Sequence, residues 1–135
     1  SRKSLTCTKG RHGLIDEGRK SLKLTPEDRT NVQNGNGTVH FEHILTSEEM
    51  KGMNKMYAQV TLKPGCSIGY HTHIGNGEDY YILKGKALVN DNQEREVTLL
   101  PGEHLYCPDG KGHSISNPGS EDLVFMALII NSKPQ

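Results

Sequence analysis

Apolar residues at every second position are the main pattern of the chain after residue 38. The stretch 55–62 shows this alternation most clearly, with four apolar positions: Met56, Ala58, Val60 and Leu62. A period of two predicts a strand that buries one of its faces. Further strands are predicted at 40–45, 67–72, 79–83, 86–89, 94–99, 104–107, 113–116 and 123–130.

Turn residues separate the predicted strands. Pro64-Gly65 and Pro101-Gly102 end two of them, and 90–93 predicts a hairpin turn. Ser47–Met50 predicts one helical turn with Ser47 as its N-cap, because acidic residues follow directly. Many short strands at this spacing predict an all-β fold, either a sandwich or a barrel.

Residues 1–37 differ from the rest because they are polar and weakly periodic. We therefore divide the chain into a polar N-terminal arm, 1–37, whose structure the sequence does not predict, and a barrel domain, 38–135. Residues 1–30 hold eight Lys or Arg against four Asp or Glu, a net charge of +4. This excess could form a patch for an anionic partner, but charge runs are usually solvated, so a solvated arm is favoured.

Composition excludes several classes of protein. The 135 residues are enough for one domain, and the balance of 16 basic and 16 acidic residues argues against a nucleic-acid partner. The longest apolar run, 123–130, is too short to span a membrane, and the opening residues predict no secretory signal. Three widely spaced cysteines, Cys7, Cys66 and Cys107, predict reduced thiols in a cytoplasmic protein.

Three histidines and one glutamate are the candidates for chemistry. His71 and His73 lie two apart in a predicted strand, so their side chains share a face. Glu78 follows after a short loop, and His113 begins a later strand that could lie alongside. Three imidazoles and a carboxylate suit Fe, Mn, Co, Ni or Zn, and a six-coordinate ion would keep two positions open. A His-x-His pair alone is more often two ordinary polar residues on a strand.

The spacing around these residues is more specific than the pair itself. One string has five, one, four and six residues between its members: Gly65, His71, His73, Glu78 and Gly85. A second string has five, one, two and three between its members: Gly102, Pro108, Gly110, His113 and Asn117. Together they resemble the two signature motifs of the cupin superfamily, in order and in full. The sixteen residues between Gly85 and Gly102 are close to the intermotif spacing of small cupins.

The resemblance implies a cupin-type jelly-roll β-barrel from about residue 38 onward. It implies one divalent transition metal (Fe, Mn, Ni, Co or Zn) inside an open end, with four ligands: His71, His73, Glu78 and His113. A small-molecule ligand or substrate and a homodimer are also expected. The resemblance implies nothing about 1–37.

Two functions fit this expectation, and no catalytic residue is assigned. One is a metalloenzyme acting on a small oxygenated substrate, as a dioxygenase, a decarboxylase or an isomerase of sugars or hydroxy acids. The alternative is a non-catalytic cupin that senses or stores a metal or a small ligand. A barrel without metal is disfavoured, because unneeded buried histidines and a glutamate would cost desolvation energy.

Residues near the motifs give further expectations. Asp79 should point away from the cavity, whereas either Tyr80 or Tyr81 should face it, because neighbours on a strand face opposite sides. His104 is interpreted as an ordinary strand residue rather than a partner of the metal ligands. No cluster of cations that would clamp a dicarboxylate is found within the motifs, whose nearest cations are Lys84, Lys86 and Lys111.

Overall fold

The computed structural model describes Arg19 and residues 22–135. In the described residues a short helix, α1, spans Ser47–Met50, and a 3₁₀ turn spans Val32–Asn34. The strands are β1 Thr25–Thr30, β2 Thr38–His43, β3 Asn54–Leu62, β4 Ser67–Thr72, β5 Asn76–Lys84, β6 Ala87–Asp91, β7 Arg95–Leu99, β8 His104–Cys107, β9 Gly112–Ser116 and β10 Leu123–Asn131.

The strands form two antiparallel sheets that close into a jelly-roll barrel. The larger sheet has the order β1-β2-β3-β10-β5-β8, and the smaller has the order β4-β9-β6-β7. Their inner faces share one core, which includes Phe41, Leu62, Ile82, Ile115 and Phe125. The all-β prediction is thereby confirmed. The chain passes from one sheet to the other between β4 and β5, so residues close in sequence face each other across the barrel.

The alternation along β3 gives the burial that the sequence predicts. Ala58, Val60 and Leu62 are fully buried, and Met56 is partly buried at the end of the row. β10 lies beside β3 and contributes Phe125 from its own inward row. Burying each large side chain of this kind stabilises the fold by about 1.5–3 kcal/mol, so the period of two has a direct energetic cause.

Several predicted boundaries differ from the structure: β2 spans Thr38–His43 rather than 40–45, some other strand ends differ by one residue, and three differences are explained by contacts. The N-cap of α1 is Thr46 rather than Ser47: the Thr46 hydroxyl accepts from the backbone N–H of Glu49 at 3.1 Å, and the Glu49 carboxylate accepts from the N–H of Thr46 at 2.9 Å. This reciprocal capping box leaves Ser47 inside the helix. β5 begins at Asn76, within the predicted loop, because it pairs with Asn131 there. β6 runs to Asp91, which pairs with Arg95, so the turn covers 92–94.

β1 lies in the arm, where the sequence predicts no strand. It pairs with β2 at the edge of the larger sheet, and all six of its residues are exposed. A strand without a buried face shows no alternation of apolar residues, which explains why the pattern does not reveal it. The basic segment 1–30 falls largely outside the described residues, as do Cys7 and His12, so the choice between a patch and a solvated arm stays open. The boundary between 37 and 38 also stays a prediction.

No helix in the described part of the chain has the length and apolar character needed to cross a bilayer.

Candidate metal centre

Four side chains from three strands and a loop converge near one end of the barrel. His71 on β4 pairs in register with His113 on β9, and His73 lies just beyond the end of β4. Glu78 approaches from β5 in the other sheet. One ligand atom from each of the four lies within 4.8 Å of the others, so together they could hold a metal ion.

The distances within this group are those of donor atoms aimed at one point. Oε1 of Glu78 lies 3.0 Å from Nε2 of His73 and 3.0 Å from Nε2 of His113, while Nε2 of His71 is 3.6 Å away. The Nε2 atoms of His73 and His113 are 3.0 Å apart. Glu78, His73 and His113 are buried at 4%, 6% and 2% exposure. The group therefore points into the protein and not at bulk solvent.

The other ring nitrogens determine which atoms face the centre. Nδ1 of His71 lies 2.8 Å from the carbonyl oxygen of Gly69, and Nδ1 of His73 lies 2.6 Å from Oδ1 of Asn76. Both oxygens are acceptors, so each Nδ1 must carry a hydrogen and donate it. In the neutral ring, Nε2 then presents its lone pair to the centre. Partners of this kind fix the orientation of metal-ligating histidines.

This donor set fits a divalent transition ion. The Nε2 atoms of His73 and His113 and an oxygen of the Glu78 carboxylate meet within about 3 Å, an arrangement that repels itself unless a positive charge lies among them. Imidazole nitrogen and carboxylate oxygen are ligands that Mn, Fe, Co, Ni and Zn accept. The chemistry of the donors thus agrees with the expected kind of cofactor.

The ionisation of Glu78, His113 and His73 also favours a cation at the centre. Burial by itself would raise the pKa of Glu78, but its contacts with the imidazoles of His113, His71 and His73 outweigh burial and hold that pKa far below its usual range. Burial lowers the pKa of His113. Burial also acts to lower the pKa of His73, but hydrogen bonds to Glu78 and Asn76 raise it overall. Glu78 is therefore an anion that attracts either a proton on His73 or a metal.

Aromatic rings support the rear wall of the centre. Tyr80 stacks on His113 with ring centroids 4.5 Å apart and planes 3° from parallel, and Phe125 packs edge-on against Tyr80. Tyr80 is 1% exposed and Tyr81 is 42% exposed, so Tyr80 is the tyrosine of the pair that faces inward, as alternation requires. Burial raises the pKa of Tyr80, which keeps the phenol neutral.

The remaining sequence expectations near the site agree with the structure. Asp79 faces outward and pairs with His104 at 2.7 Å, and the His104 side chain is 62% exposed. His104 is thus an ordinary surface residue of the strand. Cys107 lies opposite Glu78 in the β5–β8 pair, and burial first, then the charge of Glu78, raises its pKa to about 11. It stays a protonated thiol, and Cys107 is a free cysteine, as the sequence predicts.

A cavity of about 680 Å³ lies beside the centre and contains His73 in its wall. Charged and polar residues distant in sequence also line it, among them Glu27, Arg29, His43 and Lys55. Sequence reasoning missed these residues, because it looked for cations only next to the motifs. Arg29 belongs to the unpredicted strand β1, and Lys55 belongs to the predicted strand β3, where alternation places it on the outer face.

Comparison with known proteins shows several relatives. The oxalate-binding protein of Thermotoga maritima is 39% identical over 111 residues, which are 82% of this chain and 91% of the relative. A Thermotoga maritima crystal structure described as a predicted oxalate decarboxylase matches with a TM-score of 0.76 at 39% identity, over 80% of this chain and 93% of that one. A glucose-6-phosphate isomerase of Thermococcus litoralis is 25% identical over 86% of this chain and 72% of its own length.

The family model of the cupin domain matches residues 58–129, which include all four converging side chains. This match covers more than half of the chain, and the two matches from Thermotoga maritima extend the similarity over most of the rest. The chain belongs to the cupin family.

Proposed function

We propose that this cupin holds one divalent transition metal on His71, His73, Glu78 and His113 and binds a small carboxylate, such as oxalate, at that metal. The observation that carries the proposal is the convergence of four donors, three of them buried, beside an open cavity. The similarity to a protein named for oxalate binding supports the choice of ligand.

The charge of the site explains why an anion would bind there. When bound, the metal supplies a Lewis acid that attracts an oxygen ligand. One carboxylate and three neutral imidazoles leave a divalent centre with a net charge of about +1. Burial of Glu78, His73 and His113 keeps water from screening that charge. Gly69 and Asn76 hold two imidazoles with Nε2 inward, so the donors need little rearrangement on loading.

Catalysis is the second candidate function. The cavity contains Glu27 and His43, whose Oε1 and Nε2 atoms are 2.7 Å apart, and such a pair can accept and return a proton. This observation favours a metal-dependent dioxygenase, decarboxylase or isomerase of a small oxygenated substrate. Both candidate functions require that the ligand binds. They differ in whether the protein consumes the bound ligand over time.

Calorimetric titration with oxalate tests the proposal. The protein is stripped with a chelator, reloaded separately with Mn²⁺, Co²⁺ and Zn²⁺, and titrated beside the stripped protein. We expect one oxalate per loaded chain and no binding by the stripped protein. Oxalate binding of equal strength without metal, or none with any of the three metals, would contradict the proposal. Measuring oxalate after incubation then reports whether the protein consumes it.

A further inference from the structure

We propose that Lys55 is the anion-recognition residue of the cavity, and that its ammonium group binds the part of a carboxylate ligand that projects away from the metal. The inference rests on the proposed function and adds the residue that selects for ligand charge. It also predicts the ligand class: small carboxylates with a second anionic group are preferred over ligands with a neutral end.

An irregularity in β3 gives Lys55 its position. Along β10, Ile129 pairs with Met56 and the next residue, Ile130, pairs with Asn54. Lys55 is therefore the extra residue of a β-bulge. A regular strand would turn Lys55 away from the side of Met56, whereas a bulge changes the direction of the local side chains. Both Lys55 and Met56 line the cavity, so the bulge lets these two neighbours border the same space, although Lys55 itself is exposed.

Lys55 and the metal centre border the same cavity. Lys55 shares the cavity wall with His73, one of the four candidate ligands. Asn76, which holds the ring of His73, lines the same cavity. A ligand at the centre that extends into the cavity would therefore approach the ammonium group of Lys55.

The other charges of the cavity are already paired. Arg29 lies 3.9 Å from Glu27 and 5.0 Å from the ring centroid of Phe41, and Glu27 also bonds to His43. Among the residues that the structure describes, Lys55 takes part in no ion pair with a carboxylate. Lys55 is thus the cation of the cavity that is left to bind a ligand. Its three N–H donors act as a point charge that suits a carboxylate oxygen.

Paired titrations of four proteins test the role of Lys55. The metal-loaded wild type, Lys55→Met, Lys55→Arg and Lys63→Met are each titrated with oxalate, a dianion, and with oxamate, its monoamide and a monoanion. Lys63 is the matched control, because it is an exposed lysine just beyond the other end of β3. Metal content is measured for each protein before titration.

Lys55→Met should bind oxalate about tenfold more weakly at unchanged metal content, the size expected for a hydrogen bond to a charged group in a partly open site. Its affinity for oxamate should fall less than threefold, Lys55→Arg should retain most of the oxalate affinity, and Lys63→Met should match the wild type. Equal oxalate affinity in Lys55→Met and the wild type would overturn this inference alone. A loaded wild type that binds no oxalate would overturn the proposed function as well.

Discussion

Asn76 controls the ring of His73 through a single hydrogen bond. Its Oδ1 accepts from Nδ1 of His73 at 2.6 Å, and both residues are buried. Replacing Asn76 with Ala should lower the affinity for metal about 10- to 100-fold, because the imidazole loses the partner that fixes its hydrogen on Nδ1. Competition with a coloured chelator measures this affinity. Asn76→Asp retains an acceptor and serves as the matched variant, which should bind metal more tightly than Asn76→Ala.

Equal metal affinity in the wild type and Asn76→Ala would show that this hydrogen bond does not orient His73.

The four candidate ligands could be predicted at the level of single residues, because their spacing matched a known pair of motifs. Lys55 could not be predicted, because alternation places it on the outer face and the bulge that sets it beside the cavity has no signal in the sequence. Asn76 was also missed, since it looked like part of a loop rather than the start of β5.

At the scale of elements, the 3₁₀ turn packs closely on β4 through two glycines. A Cβ on Gly69 would clash with the carbonyl oxygen of Gln33 and lie 3.0 Å from the backbone nitrogen of Gly35. Gly69→Ala should therefore destabilise the fold by about 2 kcal/mol, because backbone atoms must move apart. It should also weaken metal binding, since the carbonyl of Gly69 accepts from His71.

Thermal unfolding and metal competition measure both effects of Gly69→Ala. The control is Gly119→Ala, because a Cβ there would meet only Oδ1 of Asn117 at an ordinary 3.5 Å. The expected change in stability for this control is below about 0.5 kcal/mol. Similar melting temperatures for the two variants would mean that the approach of the turn to β4 is looser than the structure shows.

β1 is attached to β2 through a histidine whose charge depends on pH. Nδ1 of His40 lies 2.6 Å from Asp28, and Nε2 lies 2.6 Å from Glu42. These hydrogen bonds raise the pKa of His40 above its ordinary 6.5, Asp28 first. The folded state binds the proton more tightly, so this stabilisation is complete below about pH 6.5 and is lost as pH rises through the raised pKa.

Hydrogen exchange of the β1 amides between about pH 6 and pH 9 tests this pH dependence. After correction for intrinsic exchange rates, protection in the wild type should fall with rising pH by about 0.5 kcal/mol, a small effect because the pair is exposed. His40→Gln should remove that pH dependence. If the wild type and His40→Gln lose protection in parallel, His40 does not hold β1 in place.

The strands that the sequence predicts well are those that bury one face and expose the other. β3 and β10 have a clear inward row, and the structure places that row in the core. β1 was missed because all six of its residues are exposed. The helix cap was assigned one residue late, since Thr46 and Ser47 are both good caps and only the contacts of Glu49 distinguish them.

At the scale of the whole molecule, the crossing from β4 to β5 creates the candidate site. The crossing moves the chain from one sheet to the other within a few residues. His71 and Glu78, which are seven positions apart, therefore lie in different sheets and face each other. The cavity, by contrast, joins β1, β3 and the metal centre, and such a meeting of distant segments has no signature in a single sequence. The homodimer and the cytoplasmic location stay predictions at this scale.

Metal analysis of the purified protein tests the central claim most directly. Protein prepared without added metal should contain about one transition ion per chain, and the double variant His71→Ala/His73→Ala should contain almost none while circular dichroism shows an intact β fold. His104→Ala, which changes an exposed histidine outside the site, should keep its metal. A wild type that holds no transition ion after loading, or a folded double variant that retains one, would contradict the account.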